Sequence, residues 1–302
     1  MTHEERLTRA RTSLTGLSVG DALGGFFELS SPRNLSHFVT NRTPPQGTWR
    51  FTDDTNMALS IYAILREHQH VNQDALAQSF VKHYDRSRGY GRGMRAMVAR
   101  IGKGQHWREV SYNFYGGNGS YGNGGAMRVA PIGAYFADDL PACITNARAS
   151  AEITHAHPEG IAGAITIAIA AALAHQHRTT DITSTEFMHA VCEHIPSSEV
   201  KTHCERAIAF PIDTPRIELV ESLGNGTKMT AQRTVPLALW LSAHYRNNFE
   251  EAIWQTLSCG GDTDTIGAMV GGIVAVSAGM AGILVQWLSQ REPLPAWAIA
   301  DA

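Results

Sequence analysis

Ser258-Cys259-Gly260-Gly261-Asp262-Thr263-Asp264-Thr265 leads straight into residues 266–285, a stretch with no charge and with five glycines. Two carboxylates at the mouth of so apolar a segment predict a helix that starts there, because the free N–H groups and dipole of a helix N-terminus favour anions. In an extended stretch the i, i+2 spacing also sends both carboxylates to one side, where a cation can bridge them. With threonine beside them, the donors are all oxygen, which suits Mg²⁺, Mn²⁺ or Ca²⁺ rather than zinc. By length 266–285 could cross a membrane. Its glycines, its acidic edge and the lack of flanking Lys or Arg predict instead a central helix packed closely through small residues.

Phe51-Thr52-Asp53-Asp54-Thr55 repeats the pattern, again just ahead of apolar residues at helical spacing. Adjacent carboxylates raise one another's pKa unless a cation or a dipole offsets them. Oxygens from Thr52, Asp53, Asp54, Asp262, Asp264 and Thr265 could therefore converge on one site for two cations.

The rest of the 302 residues reads as helices, 43% hydrophobic and 18% charged, with no period-2 run and no long repeat. A net charge of −3 offers no broad attraction for nucleic acid or an anionic membrane. Cys143, Cys192, Cys204 and Cys259 form no C-x-x-C pair, and with no apolar leader near Met1 they point to a reducing, cytoplasmic setting. Residues 7–22 read as an amphipathic helix running into a glycine-rich stretch that ends at Phe26-Phe27-Glu28. Residues 31–50 read as a loop, 160–174 as a buried helix too short to span a membrane, and the tail from about 291 as irregular.

Two further stretches carry chemistry. Six glycines between Gly116 and Gly125 precede a helical period over 126–136 and form either a phosphate-cradling loop or a linker. His155-Ala156-His157-Pro158-Glu159 joins two helical periods, as a cap, a ligand contact or a zinc site.

In order, Gly20-Asp21-Ala22-Leu23-Gly24 with Glu28, Thr52-Asp53-Asp54-Thr55, Gly122-Asn123-Gly124-Gly125-Ala126-Met127-Arg128, Thr154-His155-Ala156 and Gly260-Gly261-Asp262-Thr263-Asp264-Thr265 resemble the ADP-ribosylglycohydrolase family. That family includes the dinitrogenase-reductase-activating glycohydrolase and the animal ADP-ribosylhydrolases. The resemblance spans residues 14–279. Arg88-Gly89-Tyr90-Gly91 and Gly119-Ser120-Tyr121-Gly122 are similar to the branch that removes serine-linked and polymeric ADP-ribose.

The resemblance implies an all-α fold, a single domain over 1–302, with two Mg²⁺ or Mn²⁺ ions in a central cleft. It implies that Thr52, Asp53, Asp54, Asp262, Asp264 and Thr265 are the metal ligands and Glu28 a gate carboxylate. Gly119, Ser120, Tyr121, Gly122 and Asn123 would hold the diphosphate and distal ribose through backbone N–H groups. Tyr115 would stack on adenine and His155 would touch the ligand. Cleavage at the anomeric carbon passes through an oxocarbenium-like state, and Glu28 or Asp54 would move the proton.

The expected substrate is an ADP-ribosylated protein or a small ADP-ribose conjugate, with ADP-ribose as product. Gln232 and Arg233 depart from the acidic residues common in the family, and Thr227 to Met229 include an insertion. A neutral or basic rim there favours O-linked over arginine-linked substrates. A hydrolase of O-acetyl-ADP-ribose and a non-catalytic binding or structural member are the other readings.

Overall fold

Two helices set the architecture. His3–Glu28 and Thr263–Ala278 run antiparallel, with Gly16, Gly20 and Gly24 of the first against Gly271, Gly267 and Thr263 of the second. A Cβ on Gly20 would stand 2.0 Å from the Gly267 carbonyl oxygen, so only glycine permits this approach. Ser13 Oγ donates to the Gly272 carbonyl (2.8 Å) and Thr263 Oγ1 to the Gly24 carbonyl (2.9 Å), sewing the pair at both ends. The C-terminal end of the first helix thereby lies beside the N-terminal end of the second, with Asp21, Asp262 and Asp264 near one another.

The computed structural model describes residues 1–28 and 32–299; among them no strand occurs, only isolated bridges at Trp49–Arg291 and Gly122–Thr230. Ser31, where the expected loop begins, and the last three residues of the tail lie outside the described residues. The fold is all-α, as expected. Its helices pack around one core that includes Trp49, Trp240, Trp254 and Trp287, each at most 1% exposed.

Several expectations change. The first helix is longer than 7–22 and is not amphipathic, since every residue from Ser13 to Gly24 is buried. The apolar segment stops at Ala278, because Gly279 takes φ 73° and a short 3-10 turn, Met280–Gly282, follows. The buried helix Pro158–Gln176 is longer than the 160–174 expected. It is long and apolar enough to cross a membrane, and 83% of its apolar window is buried inside the protein. The expected loop 31–50 contains the helix Pro32–Asn41, whose proline fits a first helical turn. The helical period over 126–136 yields a helix only at Ala130–Tyr135, with Pro131 in its first turn.

The tail is not irregular either. Ala296–Ile299 is a short helix, and Trp297 stacks on His83 with ring centroids 3.5 Å apart. Glu292 accepts from the Phe51 N–H (2.8 Å) and is ion-paired with Arg88, whose guanidinium also covers the Phe51 ring. The tail thus fixes the chain just ahead of Thr52.

Candidate active site

Asp21 joins the first helix to Asp53–His68. Its carboxylate accepts from Thr52 N (3.0 Å), Thr52 Oγ1 (2.8 Å), Thr55 N (3.0 Å) and Thr55 Oγ1 (2.5 Å). Asp21 is fully buried, so burial and the Asp264 charge push its pKa up to about 7 against donors that favour the carboxylate. Thr52 Oγ1 also lies 2.7 Å from Asp54 Oδ2. One hydroxyl proton cannot serve both carboxylates, and Asp54 Oδ1 is buried with no partner at all.

Asp262 stands at the N-cap of its helix, yet its side chain makes no cap bond. It accepts instead from Asn123 Nδ2 (2.6 Å) and lies where a Cβ on Gly226 would be, 2.4 Å from its own Cβ. The Asn225 carbonyl accepts from Asp262 N (2.9 Å), so the turn at 223–226 is the brace for this carboxylate. Asp264 Oδ1 accepts from Thr265 N (2.8 Å).

The acidic groups meet as two sets of carboxylates, Asp21/Asp54/Asp264 and Glu28/Asp262/Asp264, each with an oxygen from every member within 4.8 Å. Burial and the Asp264 charge push Asp53 up to about 8 and raise Asp54 and Asp262. Glu28 is exposed, and its carboxyl is raised more mildly by partial burial and Asp264. So much like charge in so little water calls for protons or cations. All-oxygen donors, an orphaned Asp54 oxygen and an over-subscribed Thr52 hydroxyl suit a divalent cation.

Glu28, Thr52, Asp53, Asp54, Asp262 and Asp264 form the floor of a cleft of about 370 Å³ that Tyr115, His155, Arg92 and Met229 also line, with Asp21 behind it. Tyr115 is 61% exposed with φ 50°. His155 Nδ1 lies 2.7 Å from Thr154 Oγ1, and burial beside Arg128 pushes its pKa down to about 3, so the ring is neutral. Arg128 is fully buried and donates to the Gly124 carbonyl (3.1 Å), the Ser150 carbonyl (2.8 Å) and Thr154 Oγ1 (2.9 Å). One guanidinium thus ties the glycine loop to the residue that orients His155.

The expected residues Glu28, Thr52, Asp53, Asp54, Tyr115, Ser120, Gly122, Asn123, His155, Asp262, Asp264 and Thr265 all line this cleft. Gly119 and Tyr121 do not; Tyr121 instead packs edge-on to His157 at 5.5 Å. Asp53 belongs to neither carboxylate set. In the glycine loop the N–H of Gly119 donates to the Phe114 carbonyl, Gly122 to Ser120 Oγ and Asn123 to the Met229 carbonyl, so these are not free for a phosphate. His157 caps Pro158–Gln176 and Glu159 accepts from Glu199 N and Val200 N, which separates the set considered for zinc.

Arg233 does not form the expected rim. Its guanidinium donates to the Ser222 and Glu221 carbonyls at the end of Arg216–Leu223 and does not line the cleft, while Met229 does. Asp21 and Arg128 were not expected as site residues. Each is the one charge in a long run of small and apolar residues, and that is the signal that marks them.

The model of the ADP-ribosylglycohydrolase family matches residues 2–301, and the chain belongs to that family. It is 30% identical to ADP-ribosylhydrolase ARH3 of Gallus gallus, over 94% of this chain and 89% of that protein. The protein of the same name from Homo sapiens is 29% identical, over 95% and 90%. A solved structure described as an ADP-ribosylglycohydrolase-related protein complex shares the fold, with TM-score 0.66 and 24% identity over 96% of this chain and 94% of that one. The protein is an ADP-ribosyl hydrolase, a hydrolase of this family.

Proposed function

We propose that the protein cleaves the bond between the anomeric carbon of ADP-ribose and an O-linked acceptor such as serine. In this reading divalent cations, Mg²⁺ or Mn²⁺, are held by Thr52, Asp53, Asp54, Asp262, Asp264 and Thr265. The observation that carries it is that two carboxylate sets share Asp264, with a buried Asp54 oxygen left unpartnered. Divalent cations held by these residues would supply Lewis acidity for the ribose hydroxyls and for a water or the leaving oxygen.

The chain's own groups do the rest. Tyr115 offers an exposed ring for adenine, and the neutral His155 offers a nitrogen to the ligand. Glu28 is exposed at the cleft while Asp54 is 1% exposed, so we give the proton transfer to Glu28 and keep Asp54 for the cations. The O-linked preference rests on the likeness of 88–91 and 119–122 to the serine branch.

The test is catalytic efficiency on serine-linked and arginine-linked ADP-ribose in one peptide context, with Mg²⁺ and with chelator. Faster cleavage of the serine linkage, lost in chelator, is expected. Equal rates or a preference for arginine overturn the linkage, and full activity in excess chelator overturns the cation.

A further inference from the structure

The cleft carries the carboxylates of Glu28, Asp53, Asp54, Asp262 and Asp264 and a single cationic side chain, Arg92. A diphosphate with two negative charges enters such a cleft only where positive charge meets it. Cations held at the acidic floor would serve the ribose end. Farther out Gly119, Gly122 and Asn123 have already given their N–H groups to Phe114, Ser120 and Met229, and the remaining loop amides are neutral donors that bring no full positive charge.

Arg92 begins the helix Arg92–Gly102 and is exposed. Among the described residues it has no ion-pair or hydrogen-bond partner. Its segment spans the cleft lengthwise. A Cβ on Gly89 would lie 3.7 Å from Asp53 Oδ1, and one on Gly93 would lie 3.1 Å from the Tyr115 hydroxyl. Arg92 therefore stands on the wall between the acidic floor and the tyrosine, where the link between distal ribose and adenosine must pass.

We propose that Arg92 is the side chain that holds the diphosphate of the ligand. This rests on ADP-ribose being the ligand. An arginine fork suits two phosphate oxygens, and a partnerless guanidinium has no internal bond to give up. From the wall it adds a full positive charge to the neutral amides of the glycine loop.

Calorimetric titration of metal-loaded protein with ADP-ribose and with adenosine tests it in wild type, Arg92→Gln and Arg92→Lys. Arg92→Gln should weaken ADP-ribose binding about tenfold, leave adenosine binding unchanged and flatten the salt dependence, since one phosphate contact is gone. Arg92→Lys should recover most of the loss. Wild-type ADP-ribose affinity in Arg92→Gln overturns the proposal, and so does an equal fall for adenosine, which would assign Arg92 to the tyrosine wall. A wild-type protein that binds no ADP-ribose overturns the functional reading instead.

Discussion

Thr55 Oγ1 donates to Asp21 Oδ2 at 2.5 Å, a side-chain bond between two helices wholly inside the protein. With Thr52 it makes Asp21 the acceptor for both N–H groups and both hydroxyls at the start of Asp53–His68. An asparagine there has one acceptor oxygen and turns two donors toward donors. Asp21→Asn should cost roughly 2–4 kcal/mol in urea unfolding of the metal-loaded protein, as buried donors lose partners at about 1–3 kcal/mol each. It should also weaken Mg²⁺ binding more than tenfold by letting Thr52 and Asp54 move. Unchanged stability and Mg²⁺ affinity would make Asp21 dispensable.

The acidic cluster fixes a pH dependence. Asp21 and Asp53 are raised to about 7 and about 8 in the fold, against about 4 in the unfolded chain. The folded state therefore binds more protons across that window, and stability falls as pH rises from about 4 through about 8. Metal-free protein should melt at lower temperature at pH 8 than at pH 5.5. Mg²⁺ should raise the melting temperature more at pH 8, because the ion displaces those protons. Thermal melts at both pH values, with and without Mg²⁺, decide it; an equal Mg²⁺ effect would mean that the cluster does not hold the ion.

Arg128 has no carboxylate within salt-bridge reach among the described residues and works through the Gly124 and Ser150 carbonyls and Thr154. Arg128→Lys keeps the charge but loses the planar fork that reaches both walls. It should raise KM several-fold with a smaller effect on kcat, and Arg128→Met should in addition lose about 2–4 kcal/mol of stability. Steady-state kinetics beside a denaturant titration separates the two; a kcat loss with KM unchanged would count against a positioning role.

Glu28 ends the first helix, exposed yet with a carboxylate oxygen within 4.8 Å of one on Asp264. Glu28→Gln should lower kcat by a hundredfold or more and leave ADP-ribose affinity within about threefold, because proton transfer matters most in the transition state. A large fall in affinity with kcat retained would make it a binding residue.

The Thr–Asp clusters could be read from sequence because paired carboxylates before apolar runs have few physical explanations. Asp21 was passed over although no other charge lies between Leu14 and Phe27, since nothing in the sequence says which helix end will face it. Arg233 misled for the same reason: its neighbours in the chain suggested a rim, while its partners are carbonyls 11 and 12 residues earlier. The tail looked irregular because its order comes from Phe51, Arg88 and His83, all distant in the chain. Pro32 marked a loop equally well as a helix start.

The glycine seam between the first helix and Thr263–Ala278 also orders events in time. Ser13 and Gly272 are 259 residues apart, so on the ribosome the groove on the first helix waits uncovered until its distant partner has been made. Asp21 is made well before Asp262 and Asp264. A chain terminated between them has neither carboxylate set, so the catalytic centre exists only once both sides of the seam have been synthesised.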